Sequence, residues 1–331
     1  MRANTRVSAR GSVRISAMTK PDHAACSGCS LCLLVCPVWQ RSRDLAMTPH
    51  GRAKALQNGA AASDMLDSID SCTLCGACRP VCPEEIDPVD MVIALRRYSP
   101  PPAAQVFRAA LPALQPVSAR VLLAGAELST RLLARIMAQP GADLQVAADD
   151  GADIALALEA GVLLPQQRLE EFLASLRRTK ELIVTEGLLF DYLKRWLPKT
   201  RIISLGQALS SQAGVRKQLR ATDLYVIEPR AYHADYQRLV KYYDRLRQEC
   251  GCDLNLDLQR IAIPATARSL PQRLDGIAPN DAAQIGWLLQ GRKMSRIVVE
   301  NFEDYVALAQ ASHCEVVYLA DLAEGTQHAQ G

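Results

Sequence analysis

The hydrophobic and polar positions along the chain fall into three regimes. Before Arg97, the stretches Met47–Gly59 (MTPHGRAKALQNG) and Ala61–Ser71 (AASDMLDSIDS) have helical composition, and Pro83–Arg97 (PEEIDPVDMVIALRR) reads as a further helix. Asp64, Leu66 and Ile69 are spaced for successive amphipathic turns. Residues 99–119 (SPPPAAQVFRAALPALQPVSA) are Pro- and Ala-rich and predict a linker with one short helix. Beyond them, short apolar runs alternate with helical patterns, the signature of an α/β unit with a parallel sheet.

That last region repeats itself. Glu181–Leu209 parallels Ser295–Ala323: Ile183–Glu186 matches Ile297–Glu300, each followed by a helix carrying Asp-Tyr (Asp191-Tyr192, Asp304-Tyr305). Apolar runs at Ile202–Leu205 and Val316–Leu319 then close each unit. Val121–Met137 and Leu224–Leu246 pair as the opening strand and helix of each half. The expected fold is α+β overall: a helical region over 22–98, a linker over 99–119, and duplicated α/β halves over 120–213 and 222–325. Residues 1–21, with Arg2, Arg6, Arg10, Arg14 and Lys20 and no acid, read as a basic disordered tail, or as sequence upstream of a true start at Met18. No apolar h-region marks a secretory signal, although a transit peptide or basic anchor stays open.

Composition narrows the class without fixing it. A hydrophobic share of 49% and a charged share of 22% suit a globular chain, and a formal net charge of +3 argues against a nucleic-acid binder. No apolar run approaches the ~20 residues a membrane-spanning helix needs. Phosphate-loop, dinucleotide-fold and nucleophile-elbow motifs are missing, so any flavin belongs on another chain.

Cysteine changes the picture. Eight of the 11 cysteines lie in two runs of the form C-x2-C-x2-C-x3-C-P: Cys26, Cys29, Cys32, Cys36, Pro37, then Cys72, Cys75, Cys78, Cys82, Pro83. Tight clustering favours metal ligation over disulfides. Zinc sites, the alternative, use paired C-x2-C units across a longer loop. In known two-cluster proteins carrying this run, three thiolates bind one [4Fe–4S] cluster and the fourth binds its neighbour. Applied here, two [4Fe–4S] clusters are expected, one on Cys26, Cys29, Cys32 and Cys82, the other on Cys72, Cys75, Cys78 and Cys36. Gly28 and Gly76 leave room for backbone to approach the sulfides, and Pro37 and Pro83 are expected to end each turn.

With the turn Thr48-Pro49-His50-Gly51-Arg52 and the exit helix, residues 22–98 resemble the helical ferredoxin-like dicluster domain of glycolate oxidase iron–sulfur subunits, succinate dehydrogenase iron–sulfur proteins and the dicluster subunit of heterodisulfide reductase. The duplicated halves resemble the CCG domain attached to it in glycolate oxidase iron–sulfur subunits. They depart from that family at every cysteine position: Val121–Leu128, Val146–Ala155, Ile183–Phe190, Leu224–Tyr232, Arg260–Ser269 and Ile297–Tyr305 contain none. The resemblance implies a cytoplasmic electron-transfer subunit, peripheral at the membrane through a partner, relaying electrons from an FAD-linked flavoprotein dehydrogenase to a quinone-linked or iron–sulfur acceptor. No catalytic residue is expected. A heterodisulfide reductase-like enzyme would need the missing cysteines, and a structural protein with redox-silent clusters is the remaining alternative.

The leftover chemistry reads as structural. Cys250 and Cys252 flank a helix-ending Gly251, and Cys314 is core. Of five histidines, only His23, near Cys26, stands where it could tune a cluster. Tyr232, Tyr236, Tyr242 and Tyr243, beside Arg230, Arg238, Lys241, Arg245 and Arg247, predict a packed helix with a solvated basic face, the alternative being a groove for an anion or partner.

Overall fold

A computed structural model describes residues 23–103, 119–125, 144–275 and 281–324, with 106, 107, 128, 133, 136 and 137 between them. The basic tail and most of the linker and of the helix expected after the first strand lie outside the described residues.

The cysteine-rich region is helical, as its pattern requires. Helices α1 (Leu31–Leu34), α2 (Pro37–Ser42), α3 (Pro49–Gln57), α4 (Leu66–Ser71) and α5 (Pro88–Arg96) wrap the two runs. Proline opens α2, α3 and α5, where its missing N–H costs nothing. Pro37 therefore starts a helix directly after Cys36 rather than only ending a turn. Thr48 caps α3 by accepting from the Gly51 N–H at 3.0 Å, and Asp87 caps α5. A Cβ on Gly51 would sit 2.0 Å from the Leu45 carbonyl oxygen, so glycine is what lets α3 press against the preceding turn. The expected amphipathic face is shifted: Met65 and Ile69 are buried, whereas Leu66 is 37% exposed.

The rest contains two four-stranded parallel sheets of one plan. The first has β1 (Arg120–Leu123), β2 (Leu144–Val146), β3 (Glu181–Val184) and β4 (Arg201–Ser204), in the order β2-β1-β3-β4. The second has β5 (Asp223–Val226), β6 (Asp253–Leu254), β7 (Arg296–Val299) and β8 (Glu315–Tyr318), in the order β6-β5-β7-β8. After a charged first residue, their central strands are apolar because helices cover both faces. The helices that matter below are α6 (Ala152–Ala160), α7 (Gln166–Leu176), α8 (Gly187–Trp196), α9 (Leu205–Ser210), α10 (Ala213–Gln218), α11 (Pro229–Ala234), α12 (Tyr236–Cys250), α13 (Leu270–Leu274), α14 (Ala282–Leu289) and α15 (Phe302–Ala311). Gly251 ends α12 in the left-handed conformation (φ 74), as its sequence position predicts.

The three parts share cores. Ile69, Leu74, Val89 and Val92 of the cysteine region pack with Val121, Leu158, Phe172 and Leu182 of the first half. The other face of that first sheet, through Leu122, Ile183 and Ile203, packs with Tyr225, Tyr243, Val298 and Tyr318 of the second. A largely buried ion pair ties the cysteine region to the first half: Arg79, next to Cys78, reaches Asp191 at 2.8 Å while also holding Asp87 of its own region at 2.8 Å.

Candidate metal centre

Both cysteine runs fold on the same backbone plan. Left-handed residues stand third and fifth in each loop, Gly28 (φ 82) and Ser30 (φ 67) in the first, Leu74 (φ 51) and Gly76 (φ 76) in the second. A left-handed non-glycine residue costs roughly 1–2 kcal/mol, and each is held there. Leu74 is buried in the shared core, and the Ser30 hydroxyl donates to the Gly28 carbonyl and bonds His50 Nδ1. Left-handed residues at matched positions are a shared element of backbone loops that turn N–H groups toward an anion.

The thiols gather at two cavities, and the grouping crosses the runs. Cys26, Cys29, Cys32, Cys82 and Cys78 line one, with His50 beside them, and Cys78 borders both. Cys36, Cys72, Cys75 and Cys78 line the other. Among the described residues, no three His, Cys, Asp or Glu groups converge as ligands of a single ion would. Burial, then the neighbouring charges of Cys26, Cys29 and Cys82, pushes the Cys32 thiol up to about 11. Burial likewise pushes Cys75 to about 11, and raises Cys36 and Cys78. Packed together and dry, these thiols ionise only against added positive charge, which iron supplies.

The second cavity has its own cation. Arg52 is 1% exposed and lines it with Cys36, Cys72, Cys75 and Cys78. Its Nη1 donates to the Met47 and Ser68 carbonyls, but Nε and Nη2 are buried without a hydrogen-bond partner among the described residues. A buried guanidinium with unspent donors is costly unless an anion faces it. An iron–sulfur cluster ligated by four thiolates is such an anion, so thiols, loops and cation all fit that group.

The loops are held from different sides. In the first, the Cys26 carbonyl accepts from Lys54 Nζ at 3.0 Å and Gln57 Nε2 at 2.9 Å, both from α3. In the second, buried side chains hold three carbonyls. Arg96 Nη2 donates to Cys72 O at 2.6 Å, Arg230 Nη2 to Thr73 O at 2.9 Å, and His233 Nδ1 lies 2.7 Å from Cys75 O. The Ala262 N–H donates to His233 Nε2 at 3.1 Å, so the ring hydrogen sits on Nδ1 and is given to Cys75. Burial lowers His233 to about 4, keeping it neutral. Arg230 and His233 come from α11 of the second half. Arg230 is thus a buried tie, not part of the solvated basic face its sequence suggested.

A larger cavity of about 560 Å³ opens at the C-terminal ends of the strands of both sheets and shares Thr73 and Cys75 with the second thiol cavity. Gly125, Thr185, Glu228 and Glu300 stand at the strand ends that line it. Burial raises Glu228 to about 8 and Glu300 and Asp304 to about 7. Glu159 goes the other way: burial opposes its ionisation, yet Arg230 and Arg273 hold it down at about 2.

Other expectations resolve plainly. His23 makes no side-chain bond to a cysteine among the described residues, and the histidine at the first cavity is His50. Cys252 is buried, while Cys250 and Cys314 are half-buried. On α12, Tyr243 is buried while Lys241 and Arg245 are exposed along a shallow groove with Gln207 and Tyr242.

Residues 22–86 match the family model described as a 4Fe-4S dicluster domain. No curated protein and no solved structure matches the chain. The helical region is therefore an iron–sulfur domain, which supports an electron-transfer role. No helix among the described residues is long and apolar enough to cross a membrane.

Proposed function

We propose that this chain is a non-catalytic electron-transfer subunit of an oxidoreductase complex and carries two [4Fe–4S] clusters. Cys26, Cys29, Cys32 and Cys82 hold the first, and Cys72, Cys75, Cys78 and Cys36 hold the second. The observation that carries the reading is the crossed grouping of the thiols at two adjacent cavities that share Cys78, with Cys36 lining the second run's cavity and Cys82 the first run's. When bound, the clusters supply one-electron chemistry, and neighbouring clusters shorten each hop. The chain's own residues ligate, exclude water from the second site and supply the Arg52 charge that favours an added electron.

The α/β halves are, in this reading, a CCG-like module without its cysteines. Among the described residues the strand ends around the large cavity carry Gly125, Thr185, Glu228 and Glu300, and the one thiol on its wall is Cys75. That lining favours relay over heterodisulfide chemistry. A cytoplasmic flavoprotein dehydrogenase is the proposed donor, and a quinone-linked or iron–sulfur partner the acceptor. Cys29 is exposed, with Leu31 and Leu34 at 40% and 55% beside it, so the first site is the accessible one.

Anaerobic purification, iron and sulfide analysis, and EPR-monitored redox titration test this. Two reducible [4Fe–4S] signals support relay. Clusters silent across the physiological range would leave only a structural role.

A further inference from the structure

The second cysteine loop is completed by residues far away in sequence. Three of its carbonyls are held by buried side chains: Cys72 by Arg96 of α5 in its own region, and Thr73 and Cys75 from outside it by Arg230 and His233 of the second half. The two arginine ties converge on α6. Arg96 Nη1 donates to the Glu159 carbonyl at 2.7 Å, and Arg230 binds both Glu159 carboxylate oxygens at 2.9 and 3.1 Å. His233 also packs on Gly76, where an added Cβ would meet the His233 Cβ at 3.1 Å. Among the described residues the first loop has nothing comparable, since its ties, Lys54 and Gln57, come from its own domain.

Peptide units are planar, and no cis bond interrupts the described chain. A carbonyl held to one side therefore turns the N–H of the next residue to the other. Holding Thr73 and Cys75 from the α/β side aims the N–H groups of Leu74 and Gly76 away from it, into the loop.

From these contacts we propose that the cysteine-poor α/β module is the outer half of the second cluster's binding site, with His233 and Arg230 as its positioning residues. The proposal rests on the two-cluster reading above. It gives the duplicated halves a task that needs no cysteine of their own: fixing the N–H cradle and sealing one cluster from water. It also makes the two sites unequal. The second should be slower to lose iron, and its potential should respond to changes made in α11.

His233 offers a clean separation because its two nitrogens do different work. Asn places an amide N–H near the Nδ1 position and keeps the bond to Cys75. Gln reaches the Nε2 position, keeps an acceptor for Ala262 and abandons Cys75. In the intact holoprotein, H233Q should release iron from one of the two clusters to a chelator about tenfold faster, as losses of outer-shell partners do. The potential of that cluster alone should shift in EPR-monitored titration, while H233N behaves as wild type. Equal behaviour of H233Q and H233N, an effect on both clusters alike, or loss of the fold in H233Q would overturn the proposal. Wild-type protein titrating as a single cluster would instead remove the two-cluster reading beneath it, and the proposal with it.

Discussion

Replacing Arg52 by Met removes the cation built into the wall of the second thiol cavity. The side chain is 1% exposed, and its Nε and Nη2 have no hydrogen-bond partner among the described residues. Reduction adds one negative charge to a cluster, and a nearby fixed positive charge favours that state. For a separation of about 7 Å and an effective dielectric of about 20, the interaction is about 2.4 kcal/mol. For one electron, that corresponds to a fall on the order of 100 mV. R52M should lower the potential of one cluster by that order and leave the other nearly in place, whereas R52K should recover much of the shift. The variant also strands the Ser68 and Met47 carbonyls, at about 1–3 kcal/mol each, so cluster content and unfolding are measured alongside. The assay is an EPR-monitored titration of all three proteins. An upward shift, or equal shifts in both signals, would refute placing Arg52 at a single cluster.

Other expectations follow from the buried polar groups. Glu159→Gln weakens the carboxylate that holds Arg230 and Arg273, and should cost about 3–5 kcal/mol in urea unfolding. Asp304 is raised from 3.8 to about 7 by burial. A raised carboxyl adds stability below its unfolded value and loses it as pH climbs through the folded one. Stability should therefore fall by a few kcal/mol between pH 4 and 7, and D304N, which keeps an acceptor for Thr266, should flatten that slope. A methyl on Gly206 would lie 2.1 Å from the Glu300 carboxyl carbon, so G206A should cost about 1–3 kcal/mol of stability, read as a lowered unfolding midpoint.

The sequence carried the chemistry better than the architecture around it. Ligand type and spacing are local, so the iron–sulfur character of the helical region could be read from two short runs. The strands β3, β4, β7 and β8 were legible because each carries two or three consecutive apolar residues, mostly β-branched. Strands β2 and β6 were not, at three and two residues, too short for periodicity to show. Leu66 was misplaced because a 3-10 turn at Ala62–Met65 precedes α4 and rotates the buried face onto Met65 and Ile69. His233 and Arg230 escaped notice for a different reason. Their partners are loop carbonyls more than 150 residues away, and a carbonyl leaves no mark in a sequence. A basic residue beside tyrosines on a helix reads as solvated until the fold brings Glu159 and Thr73 to it.

The central claim is that two clusters are held crosswise by two runs, and single-cysteine variants test it directly. Each variant is reconstituted anaerobically and its EPR signals are assigned against wild type. Cys36→Ala and Cys78→Ala should damage the same cluster, and Cys32→Ala and Cys82→Ala the other. If Cys36→Ala instead damages the cluster lost in Cys32→Ala, each run holds its own cluster and the crossed assignment is wrong.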